Sequence, residues 1–265
     1  TCLRYPGGKS KATKTLAPWY PENFKEYREP FIGGGSVAFY TTQAYSDVPI
    51  WINDLYVPLY NFWIQLRDNG EELSERLKEI KTKASDFGTQ DEKDSAHKEL
   101  FNQTRVDING QEGLERAASF FVLNKCSFSG LTENSTFSVT ASRSNFSFIG
   151  IEKLKEYSKL MKNWKITNID YSEVMNASGD DVFVFLDDVQ FTSRDWRSRN
   201  TIKTANGLRW LSIPVGTSLN RRICDVKLPD NDWRNTHKSS IMAAYKGSRN
   251  FQVAADLIDG IYGDL

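Results

Sequence analysis

Along most of this chain, short apolar runs alternate with amphipathic stretches of helical period. Residues 28–40 read as a short strand, a glycine-rich turn and then a helix. Trp51-Ile52-Asn53-Asp54 reads as a second strand ending in an acid. Residues 55–83 carry helical spacing, with Leu59, Phe62, Leu66, Leu73, Leu77 and Ile80 as inward positions. Residues 84–112 are polar and predict loops, with Asp107-Ile108-Asn109-Gly110 as a turn. Helical spacing returns over 113–125 through Leu114, Ala117, Phe120, Phe121 and Leu123. The Ser/Asn/Thr-rich stretch 127–150 predicts a long loop or a small irregular lobe. Residues 151–163 form an amphipathic helix, 164–169 a strand, and Val182-Phe183-Val184-Phe185-Leu186 a buried strand that ends at Asp187. This alternation predicts an α/β fold with a parallel sheet covered on both faces.

Composition supports a sizeable core, with 39% apolar and 13% aromatic residues in 265. The net charge of zero conceals a split. Residues 1–188 hold 22 Lys and Arg against 27 Asp and Glu, and residues 189–265 hold 12 against 7. Such a shift suits two segments of different origin. Cys2, Cys126 and Cys224 are scattered, without a C-x-x-C pair, which argues against a disulfide scaffold or a metal site and suits a reducing cytoplasm. No apolar run is long enough to span a membrane, and no signal-peptide pattern is visible. The first residue is Thr1 rather than Met, which fits a trimmed or partial sequence.

Three constellations carry chemistry. In Glu29-Pro30-Phe31-Ile32-Gly33-Gly34-Gly35-Ser36, three glycines between a strand and a helix allow a sharp turn and close approach to a ligand; a flexible turn is the plainer reading. Asp54 follows at the end of the next strand, placed to accept from a ribose or to cap a helix. Arg4-Tyr5-Pro6-Gly7-Gly8-Lys9-Ser10-Lys11 offers a Pro-Gly-Gly turn and, in Lys9, a cation for a carboxylate. Its spacing is not that of a phosphate-binding P-loop.

Taken in order, R-Y-P-G-G-K-S-K, E-P-F-I-G-G-G-S-V-A-F, I-N-D-L-Y, F-F-V-L-N-K-C-S-F-S-G, I-T-N-I-D-Y-S-E-V-M and G-D-D-V-F-V-F-L-D resemble the Dam-type (D12 class) DNA adenine-N6 methyltransferases over residues 1–187. The resemblance implies a Rossmann-like, S-adenosylmethionine-dependent methyltransferase fold with a small DNA-recognition insertion at about 84–150. It implies double-stranded DNA as partner, and we expect a cytoplasmic monomer. By the same resemblance, Tyr5, Lys9, Phe31, Gly33, Gly35, Asp54, Asp170 and Tyr171 match cofactor-binding positions. Asn124 and Lys125 match the start of the DNA-recognition region, and Arg143 is a nearby candidate for phosphate. Asp187 matches the acid of the catalytic Asp-Pro-Pro-Tyr. In that family the adenine leaves the stack, and a side-chain oxygen and a backbone carbonyl hold its amine in line with a sulfonium methyl.

After Asp187 the chain reads Asp188-Val189-Gln190, where the family has Pro-Pro-Tyr. Asp188 lacks the fixed proline backbone, and Gln190 cannot stack on a base. From about 181 to 251 the sequence resembles the WbqC-like family, associated with surface-polysaccharide biosynthesis, but without that family's opening segment. Asp187, Asp188, Gln190, Arg199, Asn200 and His237 are the polar candidates there, with a structural role the commoner one for a lone histidine. The expected architecture is therefore a truncated methyltransferase, 1–187, joined at D-V-F-V-F-L-D to a partial α+β segment, 188–265. A non-catalytic cofactor- or DNA-binding remnant and a glycan-biosynthesis protein are the alternatives.

Overall fold

A computed structural model describes residues 1–5, 8–10, 12–132, 135–177, 198–216, 221, 223–229, 232–249 and 251–263. The expected strand over 182–187, with Asp187, Asp188 and Gln190, lies outside them. The chain divides into two compact units, Thr1–Gly179 and Asp180–Leu265.

In the first unit α1 (Thr13–Leu16) precedes β1 (Tyr27–Glu29), α2 (Ser36–Ala44) and β2 (Ile50–Asn53). Five helices follow: α3 (Val57–Asp68), α4 (Gly70–Ser85), α5 (Gln90–Asp107), α6 (Gly113–Cys126) and, after a longer connection, α7 (Val139–Asn145). Then come α8 (Phe148–Glu152), α9 (Leu154–Leu160), β3 (Lys165–Thr167) and α10 (Tyr171–Asn176). The strands form a parallel sheet in the order β1-β2-β3, with Glu29 opposite Ile52 and Asn53 opposite Thr167. All three carboxyl ends therefore open on one edge, where α/β folds place their ligands.

Pattern and structure agree best in the core. Leu59, Phe62, Trp63 and Leu66 of α3 are fully buried, as are Leu73 and Leu77 of α4. The Phe62 ring packs on Phe120 and Phe121 of α6 at centroid distances of 5.6 and 6.0 Å. On the other side Phe39 of α2 meets Trp63, Tyr157 and Trp164. Thus α6, inside the stretch expected as a recognition insertion, is part of the central core.

Three expectations need correction. Residues 55–83 are two helices, because Asn69 leaves helical geometry (φ −131°) and Gly70 restarts it. A Cβ on Gly70 would lie 2.4 Å from the Ser158 side chain, so α4 approaches α9 at a place that only glycine fits. Residues 84–112 are largely the helix α5, not loop. Its start is a capping box: Thr89 accepts from the Glu92 amide, and the Thr89 amide donates to the Glu92 carboxylate at 2.9 Å. The helix expected over 151–163 lies three residues earlier, as α8 and α9 over 148–160, divided at Lys153.

The second unit has β4 (Arg199–Thr204), β5 (Gly207–Ser212), α11 (Trp233–Tyr245) and α12 (Phe251–Gly263). The strands pair antiparallel through a two-residue turn, with Thr204 opposite Gly207 (φ +105°). His237 is buried between Ser212, whose carbonyl lies 3.0 Å from Nε2, and the Tyr262 hydroxyl, 3.4 Å from Nδ1. Both ring nitrogens are engaged, which gives His237 a structural role joining β5, α11 and α12.

Candidate cofactor site at the carboxyl edge of the sheet

The loop after β1 begins with Pro30, which has no amide to extend the strand. Phe31 then points outward, 65% exposed, while Ile32 turns into the core. Gly33 (φ +47°) and Gly35 (φ +69°) adopt left-handed geometry, and Gly35 opens α2. A Cβ at Gly33 would sit 3.0 Å from the Tyr5 ring, and one at Gly35 would sit 3.2 Å from Trp63. The glycines thus let Tyr5 lie directly on the turn. The N-terminal segment is also tied to this loop through Ser10 and Ser36, whose hydroxyls are 2.8 Å apart. Lys9 is half-buried on the same segment, and its carbonyl accepts from the Ala12 and Thr13 amides.

After β2, the Asp54 carboxylate accepts from the Tyr56 amide at 3.0 Å and from the Gly33 amide at 3.4 Å. Burial pushes Asp54 up to about 6, opposed by the Gly33 hydrogen bond. After β3, Asp170 caps α10; its carboxylate accepts from the Ser172 hydroxyl and, secondly, from the Ser172 amide, and both lower its proton affinity. Tyr171 is exposed, and its ring lies 5.4 Å from that of Phe31. Tyr5, the glycine turn, Asp54 and the Phe31–Tyr171 pair therefore converge from four separate segments. Exposed aromatic faces beside an inward carboxylate and a side-chain-free turn can offer a planar group a ring to lie on and a hydroxyl an acceptor.

The three DNA candidates sit differently. Asn124 is fully buried in α6, accepting from the Arg4 amide at 3.0 Å and donating to the Arg4 and Gly130 carbonyls at 2.6 and 3.3 Å. It anchors the residue next to Tyr5. Lys125 is also buried, with its ammonium 5.1 Å above the Phe121 ring and its proton affinity lowered by burial. Arg143 makes a forked ion pair with Asp94, Nε lying 3.0 and 3.1 Å from its two oxygens. Asn53, to which the residue pattern gave no role, bonds the Pro30 and Ile169 carbonyls at this edge. Phe128, within the segment matched to the DNA-recognition region, is exposed on a turn where Ser129, Gly130 and Thr132 all have positive φ.

The model of the D12 class N6 adenine-specific DNA methyltransferase family matches residues 5–188. The chain belongs to that family. The WbqC-like protein family matches residues 168–264, so the two matches share residues 168–188. Among curated relatives, "Type II methyltransferase M.MjaIII" of Methanocaldococcus jannaschii is 30% identical over 70% of this chain and 67% of its own length. "Type II methyltransferase M1.LlaDCHI" of Lactococcus lactis is 26% identical over 69% of this chain and 63% of its own. "Uncharacterized protein Rv1507c" of Mycobacterium tuberculosis is 36% identical over 31% of this chain. This chain covers only 36% of that protein. The D12 match ends one residue beyond Asp187, at the start of Asp188-Val189-Gln190.

Proposed function

We propose that the first unit is an adenine-N6 DNA methyltransferase domain that keeps its S-adenosylmethionine site and has lost most of its transfer activity. The convergence of Tyr5, Gly33, Asp54, Phe31 and Tyr171 at one sheet edge carries the first half of this reading. Phe31 and Tyr171 hold the adenine ring of the cofactor, Asp54 accepts from its ribose, and Gly33 and Gly35 admit it close to the backbone. Lys9 meets its carboxylate, and Asp170 fixes the start of α10 beside Tyr171. When bound, the cofactor supplies an electrophilic sulfonium methyl.

On the substrate side, the lone pair of an adenine N6 is delocalised into the ring, so transfer depends on alignment and electrostatics. Asp187 offers one acceptor to that amine. Without Pro-Pro-Tyr, the chain lacks the fixed carbonyl and the stacking ring, and Asp188 adds a negative charge beside the electron-rich base. In DNA recognition, Asn124 acts by holding the turn that displays Phe128, whose exposed ring can stack on a base opened from a duplex. Lys125 supports that end of α6, and Arg143 reaches phosphate by exchanging Asp94 for it.

The test uses the full chain with labelled S-adenosylmethionine and duplex DNA. Cofactor binding is expected with methyl transfer at least about 100-fold below that of an intact family member, as expected when a main positioning group is lost. Transfer at full family rates would overturn the lost-activity half, and absence of cofactor binding would overturn the other.

A further inference from the structure

Asn53 is 1% exposed, and its side chain sits where the loops following all three strands meet. Its Nδ2 donates to the Pro30 carbonyl at 3.1 Å and to the Ile169 carbonyl at 3.0 Å. Its Oδ1 accepts from the Ile169 amide at 3.0 Å and from the Thr167 hydroxyl at 2.8 Å. Two donors and two acceptor sites are the full capacity of a carboxamide, so every one is used. The orientation is also fixed: two carbonyls face the NH2 group, and a backbone amide faces the oxygen.

The arrangement does what the backbone cannot. The reciprocal pair with Ile169 continues β2–β3 pairing beyond the end of β3, on a side chain rather than the main chain. On the opposite side, Pro30 has left the ladder, and the Asn53 amide takes up its carbonyl. The Asn53 carbonyl in turn accepts from the Ile32 amide at 3.0 Å. Within two residues of these contacts lie Phe31, Asp54, Asp170 and Tyr171.

We propose that Asn53 is a positioning residue that sets the mutual spacing of the three loops forming the cofactor site. This deepens the cofactor reading above and rests on it for its consequence. A buried amide whose hydrogen bonds all run between loops converts three separately mobile turns into one preorganised edge. Asn53→Asp keeps the size and both acceptor contacts but sets a carboxylate oxygen against two carbonyls.

The test is peptide-resolved hydrogen exchange on the full chain, with S-adenosylmethionine titrations of the same samples. In Asn53→Asp, exchange at Ile32 and Gly35, at Asp54 and Tyr56, and at Ile169 and Ser172 should rise together by about tenfold or more, as loss of buried hydrogen bonds implies. The amides of α3 and α6 should lag behind. Leu77→Ala, a core truncation far along α4, serves as the control and should speed helix exchange without singling out the loops. Thr167→Val keeps the shape and removes one of the four bonds together with the acceptor of the Trp51 indole N–H, 2.8 Å away. It should therefore show the loop pattern at lower amplitude, with added exchange in β2, even if Asn53→Asp fails to fold. Cofactor affinity should fall about tenfold in Asn53→Asp on the same hydrogen-bond grounds. Exchange confined to the loop after β2, or spread as in Leu77→Ala, would overturn the positioning role. If the wild type binds no cofactor, the cofactor reading fails, while the exchange pattern still decides whether Asn53 couples the loops.

Discussion

The two units spend their apolar residues in opposite ways. In the first, Phe62, Trp63, Phe120 and Phe121 are sealed inside, and aromatic rings reach solvent at the sheet edge through Phe31 and Tyr171. In the second, Trp233 and Ala255 are buried, while Leu208 is 76% and Trp210 59% exposed, and Val253 and Leu257 of α12 also face outward. The first is a core built around a sheet with a functional edge. The described residues of the second include a hairpin and two helices joined at His237. Among the described residues, the large side chains that are fully buried thus lie in the first unit.

Core truncation should separate the units most sharply. Phe62→Ala is expected to cost about 3–5 kcal/mol in urea unfolding followed through the first unit. Trp210→Ala should stay within about 0.5 kcal/mol, as for a surface change. A comparable loss from both would erase the contrast.

Acid titration gives a smaller effect, confined to the first unit. Burial raises Glu29 from the usual 4.5 to about 8, even though Tyr27 donates to its carboxylate at 3.2 Å. The residue keeps some open surface, but its carboxyl lies inward against the Tyr27 hydroxyl and the Ala38 amide. A folded value above the unfolded one means that the folded unit binds the proton more tightly. That stabilisation is complete below pH 4.5 and lost as pH rises through about 8; for Asp54 the window runs from 3.8 to about 6. The thermal midpoint of the first unit should therefore rise from pH 8 to pH 6 as far as these groups govern it. Glu29→Gln should raise the midpoint at pH 8 and flatten the slope, whereas an unchanged slope would contradict the burial of this acid.

Helix caps give the smallest difference. Thr89→Ala should destabilise the first unit by about 1 kcal/mol, since it breaks both halves of a capping box. Asp232→Ala, at the start of α11, should cost far less, because no side-chain cap bonds the amides there. Denaturant midpoints of the two variants check this.

Local signals carried much of the site. The glycines, Asp54 and Tyr5 act through turn geometry and short-range chemistry, so their residue types point to their places. The helix α5 escaped because only His97, Phe101 and Thr104 along it are buried, too sparse an apolar stripe against its many charges. Its Thr89-x-x-Glu92 start was the readable clue. Asn53 escaped for another reason: its partners stand 23 and about 116 residues away, and only the closed sheet brings them together. Asn124 and Lys125 looked like exposed recognition groups because residue type does not reveal burial on a helix whose last ten residues are all buried. Asp187 reads as the family's acid, and the three residues after it as a departure, on the sequence alone, since these positions lie outside the described residues.

The proposed function joins an intact cofactor edge to an altered catalytic tip. Calorimetric titration of the full chain with S-adenosylmethionine, beside Asp54→Asn, tests it most directly. Saturable one-site binding by the wild type, weakened about tenfold or more in the variant on the grounds of a lost charge-assisted hydrogen bond, is the expected result. No binding by the wild type, or equal binding by both, would contradict it.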